Sequence, residues 1–105
     1  MENKGRALRK GYTRTCEWTY LNQKSVGYDV VREYCPEAVE ANVRILMKNN
    51  PVTLKCDDFF QVAYKTKTNE HKFESFRLYN DNEFNQIESR IPGITIFNSF
   101  YGLRD

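Results

Sequence analysis

The chain has 105 residues, of which 40% are hydrophobic and 14% aromatic, enough for one modest hydrophobic core and too few for a second domain. Its net charge at pH 7 is only +2, which is small beside that of typical nucleic-acid-binding domains. No apolar run is long enough to cross a bilayer, and charged residues interrupt the N terminus, where a signal peptide would be apolar. We therefore expect a cytoplasmic protein with no membrane partner.

Basic residues are concentrated near the N terminus. Between positions 4 and 14 there is no acidic residue and there are five basic ones: Lys4, Arg6, Arg9, Lys10 and Arg14. The chain has 16 Lys and Arg against 14 Asp and Glu, so without these five bases and Glu2 eleven bases face thirteen acids. Residues 1–11 offer almost nothing to pack, which predicts a flexible basic arm. Residues 12–105 are predicted to form the single folded domain.

The first structured segment has the alternation of a half-buried strand. From Thr13 to Leu21 many residues are β-branched or aromatic, and Cys16, Trp18 and Tyr20 share one face. The following Asn22 to Ser25 has the composition of a turn.

Two patterns fit the next segment, Val26 to Tyr34. Tyr28, Val30 and Tyr34 alternate as they would in a strand that completes a hairpin. A helical stripe also runs through Tyr28 and Val31 to Cys35. We favour the strand.

A helix is predicted from Pro36 to Asn50. Pro36 suits the first helical position, and the acidic Glu37 is favoured beside the helix N terminus. An apolar stripe with helical spacing follows, made of Val39, Val43 and Leu46 and backed by Ala38, Ala41 and Ile45. Glu40 and Arg44 would then form an exposed pair one turn apart. Asn49, Asn50 and Pro51 would end the helix.

The second half begins with predicted strands. Val52 to Cys56 and Phe59 to Thr66 are two candidates, and Asn69 to His71 would turn the chain into a third at Lys72 to Tyr79. Phe73 and Phe76 also match helical spacing, but we favour a hairpin.

A second helix and a last strand complete the prediction. Asn80 with Glu83 resembles a capping box, and Phe84, Ile87 and Ile91 form an apolar stripe that ends at Pro92 and Gly93. Ile94 to Tyr101 reads as a strand. The predicted fold class is α+β: a small single domain with a mainly antiparallel sheet and two short helices on one face. The expected core contains Val39, Val43, Leu46, Phe60, Val62, Phe84, Ile87, Ile94 and Ile96.

The residues that usually carry catalysis or hold metals are sparse and scattered. His71 is the only histidine, and it lies between Glu70 and Lys72 in a predicted turn, with no group in the sequence that would orient it as a base. The three cysteines, Cys16, Cys35 and Cys56, are an odd number and lie far apart, which favours reduced, buried thiols over a zinc site or a disulfide framework.

Two further motifs also favour a structural interpretation. Asp57 and Asp58 are the one adjacent carboxylate pair, and such neighbours are more typical of a turn or cap than of a cation site. The glycines are scattered and form no phosphate-binding loop. We expect a protein that is not an enzyme and needs no cofactor or metal.

Two functions are compatible with this pattern. The first is a binding protein that inhibits or redirects a larger host protein or nucleoprotein complex. The chain is short, has no motif typical of an enzyme and is rich in Asn, Lys, Tyr and Phe. In composition it resembles the anti-defence and other accessory proteins of phages and mobile elements. The alternative is direct nucleic-acid binding, with phosphate contacts from the arm and base stacking on exposed aromatic residues. The candidate binding residues in both cases are Lys4, Arg6, Arg9, Lys10, Tyr12, Arg14 and Trp18. If Trp18 and Tyr20 are instead buried in the core, the arm is only a solubilising tail.

Overall fold

The computed structural model describes residues 12–16, 18–50, 55–94 and 96–100, and the side chains of residues 18–46 and 58–94. Within these ranges the chain forms six strands and two helices. In chain order they are β1 (Tyr12–Cys16), β2 (Thr19–Asn22), α1 (Tyr28–Tyr34), β3 (Glu40–Asn50), β4 (Lys55–Lys65), β5 (His71–Leu78), α2 (Asp81–Arg90) and β6 (Ile96–Phe100).

The strands form one antiparallel sheet in the order β5-β4-β3-β1-β6. β3 is the central strand because it pairs along its whole length with β4, from Glu40 opposite Lys65 to Asn50 opposite Lys55. Its other edge is shared by two short strands, with β2 along the first half and β1 along the second. The predicted strand from Thr13 to Leu21 is thus two strands.

Both helices contribute to a core on one face of the sheet. Alternate sheet residues such as Val43, Phe60 and Val62 are fully buried there. α1 adds Val30 and Val31 to the same cluster, and α2 and the residue that follows it add Phe84, Ile87 and Ile91. Burial of these side chains is the main source of stability in a domain of this size. The predicted α+β class, with two short helices on one face of an antiparallel sheet, is confirmed.

The helix predicted from Pro36 to Asn50 is wrong. Pro36 and Glu37 lie in a turn after α1, and residues 40–50 form β3. Ala41, Val43 and Ile45 are buried whereas Asn42 is exposed, which is the period-2 pattern of a strand. The closely spaced apolar residues of this segment match both the helical period and the period of 2 of a strand. Pairing with other strands along both of its edges favours the strand.

The strand favoured for Val26 to Tyr34 is also wrong, because this segment contains the helix α1. The neighbours Val30 and Val31 are 1% and 0% exposed, and adjacent residues of a strand would point to opposite faces of the sheet. Gly27 precedes the helix with φ +97°, a left-handed conformation that favours glycine. The helical alternative through Tyr28, Val31 and Cys35 was the correct one.

The predicted hairpin, second helix and last strand are confirmed, whereas the strand predicted from Val52 to Cys56 is not a separate one, because Lys55 and Cys56 belong to β4. β4 and β5 form a hairpin whose loop places Asn69 at φ 65°, a conformation that Asn tolerates. Asn80 Oδ1 accepts a hydrogen bond from the Glu83 N–H at 2.9 Å, and Glu83 Oε1 accepts one from the Tyr79 N–H at 2.8 Å. These bonds satisfy backbone donors at the start of α2, as the capping motif predicts.

The core prediction is partly confirmed. Val43, Phe60, Val62, Phe84 and Ile87 are buried. Val39 and Leu46 are only half-buried, which corrects their placement in the core, whereas the half-buried Ile94 packs against it. The side chain of Ile96 lies outside the described part of the chain, as do residues 1–11 of the predicted arm.

Candidate binding surface

The face of the sheet opposite the helices combines aromatic and basic side chains with small or polar ones. Strand pairing arranges them in rows across the sheet, because residues directly opposite each other share a face. One row contains Tyr20, Asn42, Ala63 and Phe73, and the next contains Arg44, Gln61 and Ser75. We call these seven residues, together with Trp18 beside Arg44, the open face.

Three aromatic rings of the open face are exposed to solvent. Trp18 is 42% exposed, Tyr20 51% and Phe73 57%. The alternative in which Trp18 and Tyr20 are buried in the core is therefore wrong. The small side chain of Ala63 stands between Asn42 and Phe73 in its row, so the ring of Phe73 rises above its neighbour. Exposed aromatic rings on one surface are a common feature of binding sites.

A chain of contacts holds Arg44 beside Trp18. The guanidinium carbon of Arg44 lies 4.8 Å from the centre of the Trp18 ring, within range of a cation–π interaction. Arg44 Nε donates a hydrogen bond to Gln61 Oε1 at 2.8 Å, and Gln61 Nε2 lies 3.4 Å from Ser75 Oγ. The contacts with Trp18 and Gln61 thus hold the Arg44 side chain in place while its charge remains at the surface.

Charge is distributed unequally between this side of the sheet and the rest of the molecule. The described side chains comprise eight basic and ten acidic residues. On the open side, including the flanking rows, the strand register places three bases and one acid, namely Arg44, Lys65, Arg77 and Glu40. Nine acids and five bases therefore remain on the helices, loops and opposite side. Among the described side chains the open side is thus positive and the remainder is negative, which favours the approach of an acidic partner to the open side.

The structure locates three of the seven candidate residues predicted from sequence. Tyr12 and Arg14 belong to β1, where Tyr12 pairs with Phe100 and Arg14 lies between Met47 and Asn98. Trp18 lies on the open face. Lys4, Arg6, Arg9 and Lys10 lie outside the described residues, so the role assigned to the arm stays a prediction.

Sequence reasoning missed Arg44, Gln61 and Phe73. Arg44 was placed on a helix beside Glu40, but Glu40 instead contacts Lys65, with Oε1 and Nζ 3.2 Å apart. Gln61 and Phe73 come from different strands, and only the strand register brings them near Trp18. A correct period-2 reading of residues 40–46 would have placed Arg44 on the polar side of the sheet.

The groups considered for catalysis do not come together in the described ranges. His71 is exposed at the start of β5. Cys35 is buried, and desolvation raises the pKa of its thiol to about 11, which makes it a poor nucleophile at neutral pH. The side chains of Cys16 and Cys56 are not among those described. Where side chains are described, no three His, Cys, Asp or Glu residues are arranged to hold a metal.

The turn predicted at Asp57 and Asp58 is wrong, because both residues lie within β4. Asp58 is fully buried, in register with Met47 on one side and Leu78 on the other. The local Asp-Asp signal for a turn was overridden by the long pairing between β3 and β4.

A surface depression lies at the end of the open side that bears Glu40 and Lys65. It has a volume of about 610 Å³ and is lined by turn and strand-end residues that include Lys24, Lys65, Lys67 and Asn69. A smaller depression of about 220 Å³ borders the open face between Tyr20 and His71. Its position extends the candidate surface toward the β4–β5 loop.

No helix in the described ranges is both long and apolar enough to cross a membrane. No protein-family model, no curated protein and no solved structure matches this chain.

Proposed function

We propose that this protein is a non-enzymatic binding protein that docks its open face on an acidic surface of a larger host protein or nucleoprotein complex. The contact of Trp18 with Arg44, on the sheet face where neither described helix packs, is the observation that carries the proposal. By occupying that surface, a domain of this size would inhibit or redirect its partner by steric blockade. This action fits an accessory protein of a phage or mobile element, the class that the composition suggests.

The composition of the open face supports a protein partner. Trp, Tyr and Arg are the residues most enriched among those that dominate binding energy at protein interfaces. Here Trp18, immediately before β2, lies against Arg44 of β3, and Tyr20 of β2 stands in the neighbouring row, opposite Asn42. Gln61 already holds Arg44 in place, so less side-chain freedom is lost when a partner binds.

Charge supports an acidic partner. The open side carries Arg44, Lys65 and Arg77 against the single acid Glu40, whereas the helix side would repel a negative surface. Complementary charge increases the association rate and orients the encounter. The basic residues Lys4 to Arg14 add to this attraction if the predicted arm extends from β1 toward the same partner.

Direct binding of single-stranded nucleic acid is the second candidate, favoured by the exposed rings of Tyr20 and Phe73, on which bases could stack. Two observations favour the protein partner over it. The Arg44 guanidinium lies over the Trp18 ring and competes with a base for that face. The few bases on the open side also provide little neutralisation for a phosphate backbone.

Affinity capture from a host lysate, with and without nuclease, tests the proposal. Wild-type protein should retain a specific protein after nuclease treatment, and Arg44→Ala or Trp18→Ala should lose it. Val26→Ala is the control, because Val26 is an exposed apolar residue at 71% exposure that lies before α1 and away from the open face. It should retain the partner.

Two results would contradict the proposal. Retention of the same protein by Arg44→Ala and Trp18→Ala would remove the open face from the interface. Loss of all bound protein on nuclease treatment, together with quenching of Trp18 fluorescence by a purified oligonucleotide, would instead establish the nucleic-acid alternative. Circular dichroism of each variant confirms that the fold is retained.

A further inference from the structure

We propose that the edge strand β5 pairs with β5 of a second copy of this chain, antiparallel and about a two-fold axis at Phe73. β5 stands at one end of the sheet order and pairs with β4 on one side. On its other side no strand of the described chain is present. An eight-residue edge strand offers a row of backbone donors and acceptors to a further strand.

Backbone geometry identifies which of these groups point outward. In the hairpin loop the Thr66 N–H donates to the Glu70 carbonyl at 3.0 Å, so the Glu70 carbonyl faces the β4 side. In an antiparallel ladder consecutive residues alternate between facing the partner strand and facing away from it. The N–H and C=O groups of His71, Phe73 and Ser75 therefore face away from β4. A second β5 centred on Phe73 would meet these groups in register.

The charges of β5 select this register. With Phe73 on the two-fold axis, Lys72 stands opposite Glu74 of the second copy, and Glu74 stands opposite its Lys72. An axis at Glu74 would instead oppose two like charges, which is unfavourable. An axis at Ser75 would place Glu74 opposite Phe76 and leave the carboxylate unpaired.

The existing contact of Lys72 leaves it available for this pairing. Its Nζ lies 3.5 Å from Glu37 Oε1, and the two side chains are 40% and 60% exposed. A long, exposed ion pair contributes little to stability. Charged residues on an edge strand ordinarily prevent pairing with other chains, but opposite charges two residues apart become complementary across a two-fold axis.

Such pairing would join the two sheets into one and bring the Phe73 rings together on the open side. At 57% exposure each ring has a large area to bury, and aromatic pairs across strands are favourable. The two open faces would become continuous, which would present two copies of the Trp18 and Arg44 contact to one partner. The dimer does not rest on the proposed function, because it is argued from the free edge of β5 and from Lys72 and Glu74, which lie outside the open face.

Sedimentation equilibrium between about 1 μM and 1 mM tests the dimer with a charge-swap cycle. Lys72→Glu alone and Glu74→Lys alone each create two like-charge contacts per dimer, and each should weaken association roughly tenfold. The double variant Lys72→Glu/Glu74→Lys restores opposite charges and should recover wild-type association to within about threefold. Glu37→Gln is the control, since it removes the intrachain partner of Lys72 without altering β5, and it should leave association unchanged.

A wild-type protein that remains monomeric over the whole range would overturn the proposal. Failure of the double variant to recover association would also overturn it. Phe73→Pro removes the N–H at the axis and should abolish the dimer, with circular dichroism reporting whether the monomer fold is kept. Affinity capture with the charge-swap variants separates this result from the proposed function, because their open-face Trp18 and Arg44 are unchanged.

Discussion

Arg90 and Glu33 form a two-bond ion pair that fastens the end of α2 to α1. Arg90 Nη1 donates to Glu33 Oε1 at 3.2 Å, and Nη2 donates to Glu33 Oε2 at 2.7 Å. Nη2 also donates to Asp29 Oδ2 at 2.7 Å. The hydrogen bond from Arg90 holds the pKa of the Asp29 carboxyl below its usual range. One guanidinium thus fixes two successive turns of α1.

Replacing Arg90 by Gln should raise the pKa of Asp29 toward its ordinary value. A carboxyl whose pKa is lowered by folding stabilises the fold above its unfolded pKa, and this contribution is lost as the pH falls through the folded pKa. The variant should therefore lose less stability on acidification than the wild type. NMR titration of Asp29 and urea unfolding at pH 7 and pH 3 measure both effects. Arg32→Gln, which removes the same charge from α1, is the control and should leave the Asp29 titration unchanged.

Gly27→Ala should destabilise the domain by about 2 kcal/mol or more, because two penalties add. The backbone at Gly27 has φ +97°, and a Cβ there would lie 2.9 Å from the carbonyl oxygen of Arg90. Gly93→Ala is a matched control: its φ is +104°, but its Cβ would meet nothing within 4 Å. It should cost only the backbone strain, about 1 kcal/mol. Equal losses in urea unfolding would contradict close packing between Gly27 and the end of α2.

Ile87→Ala should cost about 2–5 kcal/mol, because truncation of a buried side chain removes apolar contacts and leaves a cavity. Ile87 is 2% exposed in the cluster that joins α2 to the sheet. Val26→Ala truncates a side chain that is 71% exposed, and it should change the unfolding free energy by less than about 0.5 kcal/mol. A near-neutral Ile87→Ala would mean that α2 does not contribute to the core.

The domain should become less stable as the pH rises above about 9. Burial raises the pKa of the Cys35 thiol from 9.0 in the unfolded chain to about 11 in the folded one. Below the unfolded pKa the thiol is protonated in both states, and its contribution to stability is fully present. That effect is lost as the pH rises through the folded pKa. Cys35→Ala should weaken this alkaline loss in urea unfolding between pH 7 and pH 11. Mass mapping after iodoacetamide treatment at about pH 8 should find Cys35 modified only when urea is present.

The predicted basic arm should act on the rate of association. Changing Arg6, Arg9 and Lys10 to Ala should slow binding to the captured protein and weaken its dependence on salt. Dissociation should change less, because it depends on contacts buried at the open face. Stopped-flow kinetics at two salt concentrations measure both rates. Unchanged association and dissociation would remove the arm from the binding mechanism.

Local signals in the sequence predicted the second half of the fold well. Asn80 and Glu83 identified the start of α2, and the stripe through Phe84 and Ile87 identified its buried side. The hairpin of β4 and β5 was also identified, because its strands and turn are consecutive in sequence. Such features depend on interactions between residues that are only a few positions apart. These interactions can be recognised from the pattern of residue types along the sequence.

The first half depended on contacts that are distant in sequence. Between Val26 and Asn50 the sequence fits both a helix followed by a strand and a strand followed by a helix. The outcome is set by β4, which pairs with all of β3, and by the core, which accepts both Val30 and Val31. The open face was missed for the same reason, since Trp18, Arg44 and Gln61 meet only after three strands are in register.

The pairing of β1 with β6 determines how late the sheet can be completed during synthesis. Tyr12 stands opposite Phe100 and Cys16 opposite Ile96, so β1, the first of the described strands, pairs with β6, the last of them. Until β6 has left the ribosomal exit tunnel, the nascent chain keeps one edge of β1 unpaired. Contacts between such distant segments also slow folding, because the intervening chain must be ordered first. This edge of β1 is therefore accessible to chaperones and proteases until β6 pairs with it.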